Sequence, residues 1–76
     1  MNKSIAIELI DVEHNSAVRK FGSFCSAHEG LAIIEEEFEE LKAEVFKRPA
    51  YRKGESLEKE AIQLGAMALR FLIDIC

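Results

Sequence analysis

The sequence predicts an all-α fold: one domain, residues 1–76, of three helices, the last two a long antiparallel hairpin, assembling into an oligomeric helical bundle. Three observations predict it. Ala27, Leu31, Ile34, Phe38, Leu41 and Val45 recur at alternating four- and three-residue steps, and so do Leu57, Ala61, Leu64, Ala68, Phe71 and Ile75. That is the period of a helix with one apolar seam. No stretch shows the two-residue alternation of a strand, and no internal repeat or low-complexity tract is present. The third stretch also carries a second seam, Ile62, Gly65, Leu69, Leu72 and Cys76. A helix apolar on two faces needs two partners, and in so short a chain one of them is expected to be another subunit.

In chain order, the first helix is expected after Ser4, a plausible N-cap. Ile5, Leu9 and Val12 make one stripe, and Ala6, Ile10 and Ala17 a neighbouring one. His14-Asn15-Ser16 is a patch where the helix loosens before resuming from Val18 to Phe21. Gly22 is the natural stop, because glycine accepts a left-handed conformation, and Phe24 pins the short connection to the core. Ser26 with Glu29 three residues on is a capping box, so a second helix runs from about Ala27 to Lys47. Gly30 in its first turn costs up to about 1 kcal/mol of helix propensity. Pro49 forbids continuation, and Arg48 to Glu55 form a polar loop in which Tyr51 covers the bundle end. Ser56 is expected to cap the third helix, with Glu58 suited to the positive end of its dipole. Arg70 and Asp74, four apart, read as a simple helix ion pair, and Met67 as a gap-filler at an interface.

Composition narrows the function classes. A chain of 76 residues buries only roughly 60% of the surface its unfolded form exposes, so a metal or association must supply further stability. Cys25 and Cys76 allow one bridge at most and have no metal-ligand spacing, so they are expected as reduced thiols. With a hydrophobic fraction of 49% the chain is expected to fold. The net charge of −4 argues against nucleic-acid binding, which draws on Lys and Arg to neutralise phosphates. No segment approaches the roughly 18 continuous apolar residues of a membrane span. The first residues do not form a signal peptide, so the cytoplasm is the expected compartment.

The charge is unevenly placed. Glu29, Glu36, Glu37, Glu40 and Glu44 form a stripe roughly opposite the seam of the second helix, with Ile33 inside it. Glu36, Glu37 and Glu40 lie within roughly a 100° arc and repel one another unless a cation neutralises them. All-oxygen ligation suits Mg²⁺, with Mn²⁺ as a substitute, rather than zinc. On the third helix Glu60 and Gln63 share a face, and inward carboxylates from facing helices are an established way to build a metal site. Glutamate runs also occur as simple solvated faces, and that reading stays open at this stage. Lys47, Arg48, Arg52 and Lys53 follow the acidic helix and would steer a phosphate ligand, or would simply be solvated. His28 would contact a phosphate or base, or pack in the first turn of its helix.

Glu36-Glu37-Phe38-Glu39-Glu40, then Glu60 with a polar residue three further on, resembles the EExxE, spacer, ExxD signature of the MazG-like all-alpha NTP pyrophosphohydrolases. The stretches SAHEGLAIIEEEFEEL and KEAIQLGAMALRF resemble a small MazG-like subgroup, and the resemblance spans roughly Phe21 to Ile75. It implies cleavage of a nucleoside triphosphate to a monophosphate and pyrophosphate, with Mg²⁺ as cofactor and a homodimer or homotetramer as the working form. It implies that Glu36, Glu37 and Glu40 hold the metal, with Glu37 and Glu40 the catalytic pair, and that Glu60 and Gln63 face them as further ligands. The chain departs from the pattern at Gln63, where the family has aspartate. A neutral amide donates an oxygen but brings no charge and cannot act as a base. Asp74 does not replace it, lying on the order of 16 Å along the helix. That departure motivates a second expectation: a non-catalytic helical oligomerisation module, or a nucleotide- or protein-binding module, on the same scaffold.

Overall fold

The structure is a computed structural model describing all residues 1–76. It is all-helical and has no strand: α1 (Lys3–Phe21), α2 (Ala27–Val45), a short 3₁₀ turn (Pro49–Tyr51) and α3 (Gly54–Asp74). α3 lies in the middle. It packs against both α1 and α2, whereas no residue of α1 comes within 8 Å of α2, Cα to Cα. The two outer helices therefore leave a cleft over α3.

The helix boundaries follow from their caps, with two corrections to the expected ones. α1 is capped by Asn2, not Ser4: Asn2 Oδ1 accepts the Ile5 amide at 2.9 Å, and Ser4 is already inside the helix. α1 also runs unbroken through His14-Asn15-Ser16, because His14 and Ala17 are buried against α3 and tertiary packing outweighs weak local propensity. It stops at Gly22, which has φ 70° and ψ −156°. The capping box forms at α2: Ser26 Oγ accepts the Glu29 amide at 3.1 Å, and Glu29 Oε1 accepts the Cys25 amide at 3.1 Å. α2 ends at Val45, two residues before Lys47. Arg52 holds this end: its guanidinium donates to Val45 O, the last carbonyl of α2, at 2.6 Å and to Lys47 O just beyond it at 3.4 Å. α3 begins at Gly54 with Lys53 as its cap residue, so Ser56 lies within the first turn and donates its amide to Lys53 O at 3.1 Å.

The buried faces differ from the apolar seams. On α1 the stripe of Ala6, Ile10 and Ala17 turns inward, while Ile5 and Val12 stay exposed. On α2 Gly30, Ile33, Ile34, Glu37, Leu41 and Glu44 turn toward α3, leaving Leu31, Phe38 and Val45 of the seam exposed. On α3 the deepest burial falls outside both seams, at Ala66, at Met67 with 6% exposed and at Arg70 with 4%. Met67 belongs to this chain's own core, with Ala17, Phe24 and Ala66, and Ile10, Ile33, Ile34, Phe71 and Ile75 pack around them. The two helices approach closely at Gly30, where an added Cβ would lie 2.7 Å from the Phe71 ring.

Arg70 and Asp74 do more than pair along one helix. Arg70 donates to Gly22 O at 2.6 Å and lies 4.0 Å from the centre of the Phe24 ring. Asp74 Oδ2 accepts the Phe24 amide at 2.8 Å and sits 3.8 Å from Arg70 Nε. Together they clasp the connection between α1 and α2 onto the end of α3. Cys25 and Cys76 are free and exposed. No helix is long and apolar enough to cross a membrane.

Candidate metal centre

Three carboxylates meet across the seam between α2 and α3. Glu37, Glu40 and Glu60 each offer an oxygen, and these oxygens all lie within 4.8 Å of one another. The local reason is simple. Glu37 and Glu40 stand one turn apart on the face of α2 that Gly30, Ile33 and Ile34 press against α3. The apolar half of that face fixes the register, and its acidic half then meets Glu60 near the start of α3.

The electrostatics of this group are unfavourable without a cation. Glu37 Oε2 and Glu60 Oε2 are hidden from solvent and have no hydrogen-bond partner. The Glu37 carboxyl is pushed up to about 7, first by burial, then by the adjacent Glu40 and more weakly by Glu60 and Glu36. Glu60 is raised too, again first by burial and then by Glu40, with Lys59 opposing. Like charges in a partly dehydrated site disfavour ionisation, and a bound divalent ion would reverse that penalty. The geometry fits an ion of this kind. Mg²⁺ with oxygens at about 2.1 Å sets adjacent ligands about 3 Å and opposite ones about 4 Å apart, so the group need close by no more than about 2 Å.

The carboxylates open into the cleft of ≈ 750 Å³ between α1 and α2. Glu36 lines this cleft but is exposed and stands outside the group of three. Gln63 lines it from α3, half-buried. None of His28, Lys47, Arg48, Arg52 and Lys53 reaches it. His28 is exposed at the start of α2, Lys47 is paired with Glu44 at 2.7 Å, and Arg52 caps α2. Arg48 and Lys53 flank the 3₁₀ turn and are exposed. The cations that do line the cleft are Lys20, Lys59 and Arg70. Sequence reasoning passed over Lys20, although Glu13, Ser16 and Lys20 step along α1 at three and four residues and form one wall of the cleft. Lys59 had a plainer signal, being the neighbour of Glu60.

Compared with protein-family models, curated proteins and solved structures, the chain matches none.

Proposed function

We propose that this protein is a Mg²⁺-dependent nucleoside triphosphate pyrophosphohydrolase, cleaving an NTP to NMP and pyrophosphate in the upkeep of the nucleotide pool. One observation carries the reading: the mutual approach of Glu37, Glu40 and Glu60 from two helices, with two hidden carboxylate oxygens that have no partner. On this reading Glu36, Glu37, Glu40, Glu60 and Gln63 would hold Mg²⁺, or Mn²⁺ in its place. When bound, the ion supplies charge neutralisation and polarisation of phosphate oxygens. The chain's own groups do the rest. Without the ion Glu37 holds a proton up to near neutrality; with the ion bound that proton would leave, and Glu37 and Glu40 would act as charged groups that hold the ion and orient the attacking water. The Lys20 and Lys59 ammonium groups attract the polyphosphate into the cleft.

The proposal includes an assembly and a compartment. Gly30 lies against Phe71 while Glu37 and Glu40 lie against Glu60, so α2 and α3 are read as an antiparallel hairpin. The exposed line of Leu31, Phe38 and Val45 supports burial against a second copy in a homodimer or homotetramer. The compartment this reading assigns is the cytoplasm. With Mg²⁺ and a panel of NTPs and dNTPs, the folded protein should release pyrophosphate, and Glu40→Ala should abolish release. A folded oligomer that turns over no nucleotide ends the enzymatic reading.

Gln63 favours a second reading, a non-catalytic nucleotide- or protein-binding module. It adds an uncharged amide to the cleft beside Glu60, where a full charge would strengthen a metal site. If the native chain binds neither Mg²⁺ nor Mn²⁺ and Gln63→Asp does, the module is the better description.

A further inference from the structure

Glu44 stands one turn beyond Glu40 on the same face of α2, and Glu37, Glu40 and Glu44 step along it at three and four residues. It is far more buried than its neighbours, at 8% exposed. Among the helices α2 packs only on α3, and the Glu44 charge bears on Glu60 across that seam, while its oxygens stand outside the group of three. One Glu44 oxygen pairs with Lys47 Nζ at 2.7 Å. The other, Oε1, is hidden from solvent and has no hydrogen-bond partner. A carboxylate oxygen taken out of water without a donor or cation is costly, and the cost grows when other carboxylates share the space. The pair with Lys47 accounts for one oxygen of this glutamate and leaves the hidden one unexplained. Leucine or alanine would fill a seam at lower cost and with comparable or better helix propensity.

We propose that Glu44 is a ligand of the divalent-metal centre, supplying the charge that Gln63 lacks, and that Lys47 occupies its carboxylate until the metal displaces it. The inference rests on the reading of Glu37, Glu40 and Glu60 as a metal site. It adds a residue outside the EExxE pattern and gives Lys47 a part distinct from phosphate steering. The centre then draws its charge from a ladder of three glutamates on α2 facing Glu60. Metal binding breaks the Lys47–Glu44 pair, so Lys47 competes with the ion and its removal favours binding.

Calorimetric titration of the purified full chain with Mn²⁺ tests this without any substrate. Glu44→Gln keeps the shape of the side chain, and its helicity by circular dichroism verifies the fold. Expected are a loss of Mn²⁺ affinity of tenfold or more in Glu44→Gln, a severalfold gain in Lys47→Met, and recovery when Gln63→Asp is added to Glu44→Gln. Native-like affinity in a folded Glu44→Gln variant overturns the role of Glu44 while leaving the three-carboxylate site intact. Weaker binding in Lys47→Met overturns the displacement. A native chain that binds no Mn²⁺ removes the site itself and this inference with it.

Discussion

Glu37 and Glu40 stand one turn apart on α2, yet only Glu37 is withdrawn from water, with one oxygen hidden and unpartnered. Burial therefore acts on Glu37 first and charge repulsion second, and its carboxyl rises from 4.5 to about 7 on folding. A carboxyl whose pKa rises on folding favours the fold while protonated. Its contribution is complete below about pH 4.5 and is lost as pH climbs through 7. Metal-free protein should thus lose stability between pH 5 and pH 8. The shift corresponds to at most about 3 kcal/mol, and solvent screening of a partly exposed group reduces that to roughly 1–2 kcal/mol. Urea midpoints at the two pH values check this: Glu37→Gln should flatten the difference, and Mg²⁺ should restore stability at pH 8. A pH dependence unchanged by Glu37→Gln would place the strain elsewhere. Arg70 is the opposite case, a buried charge that donates to Gly22 O and lies beside Asp74, with only its Nε left without a hydrogen bond. Arg70→Ala removes the donor to Gly22 O and the cation over Phe24, and leaves Asp74 buried. The expected cost is about 3 kcal/mol or more, read by thermal or urea unfolding. Asp74→Asn, which keeps an oxygen for the Phe24 amide, should cost less.

At the scale of elements, the α2–α3 packing is set by a close approach at Gly30. An alanine there gains up to about 1 kcal/mol of helix propensity, but its Cβ would sit 2.7 Å from the Phe71 ring and 3.1 Å from Phe24. Rings in a packed core do not yield as a chain end does, so Gly30→Ala should destabilise by about 1–3 kcal/mol net. It should also weaken metal binding, by spreading the seam that brings Glu37 and Glu40 to Glu60. Gly54→Ala is the control: nothing lies within 4 Å of the added carbon, so stability should hold or rise slightly. Helix existence was legible in the sequence because caps and breakers act locally: Ser26 with Glu29, Gly22 and Pro49 each do what their chemistry dictates. Orientation about each axis was less legible. Seam residues were expected to mark the packed face, but Leu31, Phe38 and Val45 point outward and Glu37 and Glu44 inward. A periodic pattern marks the apolar side of a helix but not which neighbour covers it, and here α3 covers a different side of α2 from the seam. The Arg70 clasp was illegible for another reason. Its partners, Gly22 and Phe24, lie 46 to 50 residues away, and their backbone groups leave no trace in side-chain pattern.

For the whole molecule, surface area is the decisive quantity. A compact folded monomer of 8.6 kDa is expected to expose about 4,700 Å². This chain exposes 5552 Å², and none of its large side chains is fully buried. The excess is roughly 800–900 Å², close to what one partner contributes to a standard protein interface, about 800 Å². Its apolar part includes the straight line of Leu31, Phe38 and Val45, seven residues apart on α2, and Leu72 and Ile73 near the end of α3. Two copies meeting through such faces would cover the seams left outward, and would add the burial that a core of Ala17, Phe24, Ala66 and Met67 cannot supply alone. Phe38 stands at the middle of the α2 line and on the side of the helix away from the cleft, since it does not line it. Phe38→Glu should therefore dissociate the assembly without touching the carboxylate group directly. Light scattering coupled to size exclusion should report a dimer or tetramer for the native chain and a monomer for the variant. If the folded form associates, the native melting temperature should rise with protein concentration, and that of Phe38→Glu should be lower and independent of it. A native chain that runs as a monomer with a concentration-independent melting temperature excludes the assembly, and the exposed seam then needs a different partner.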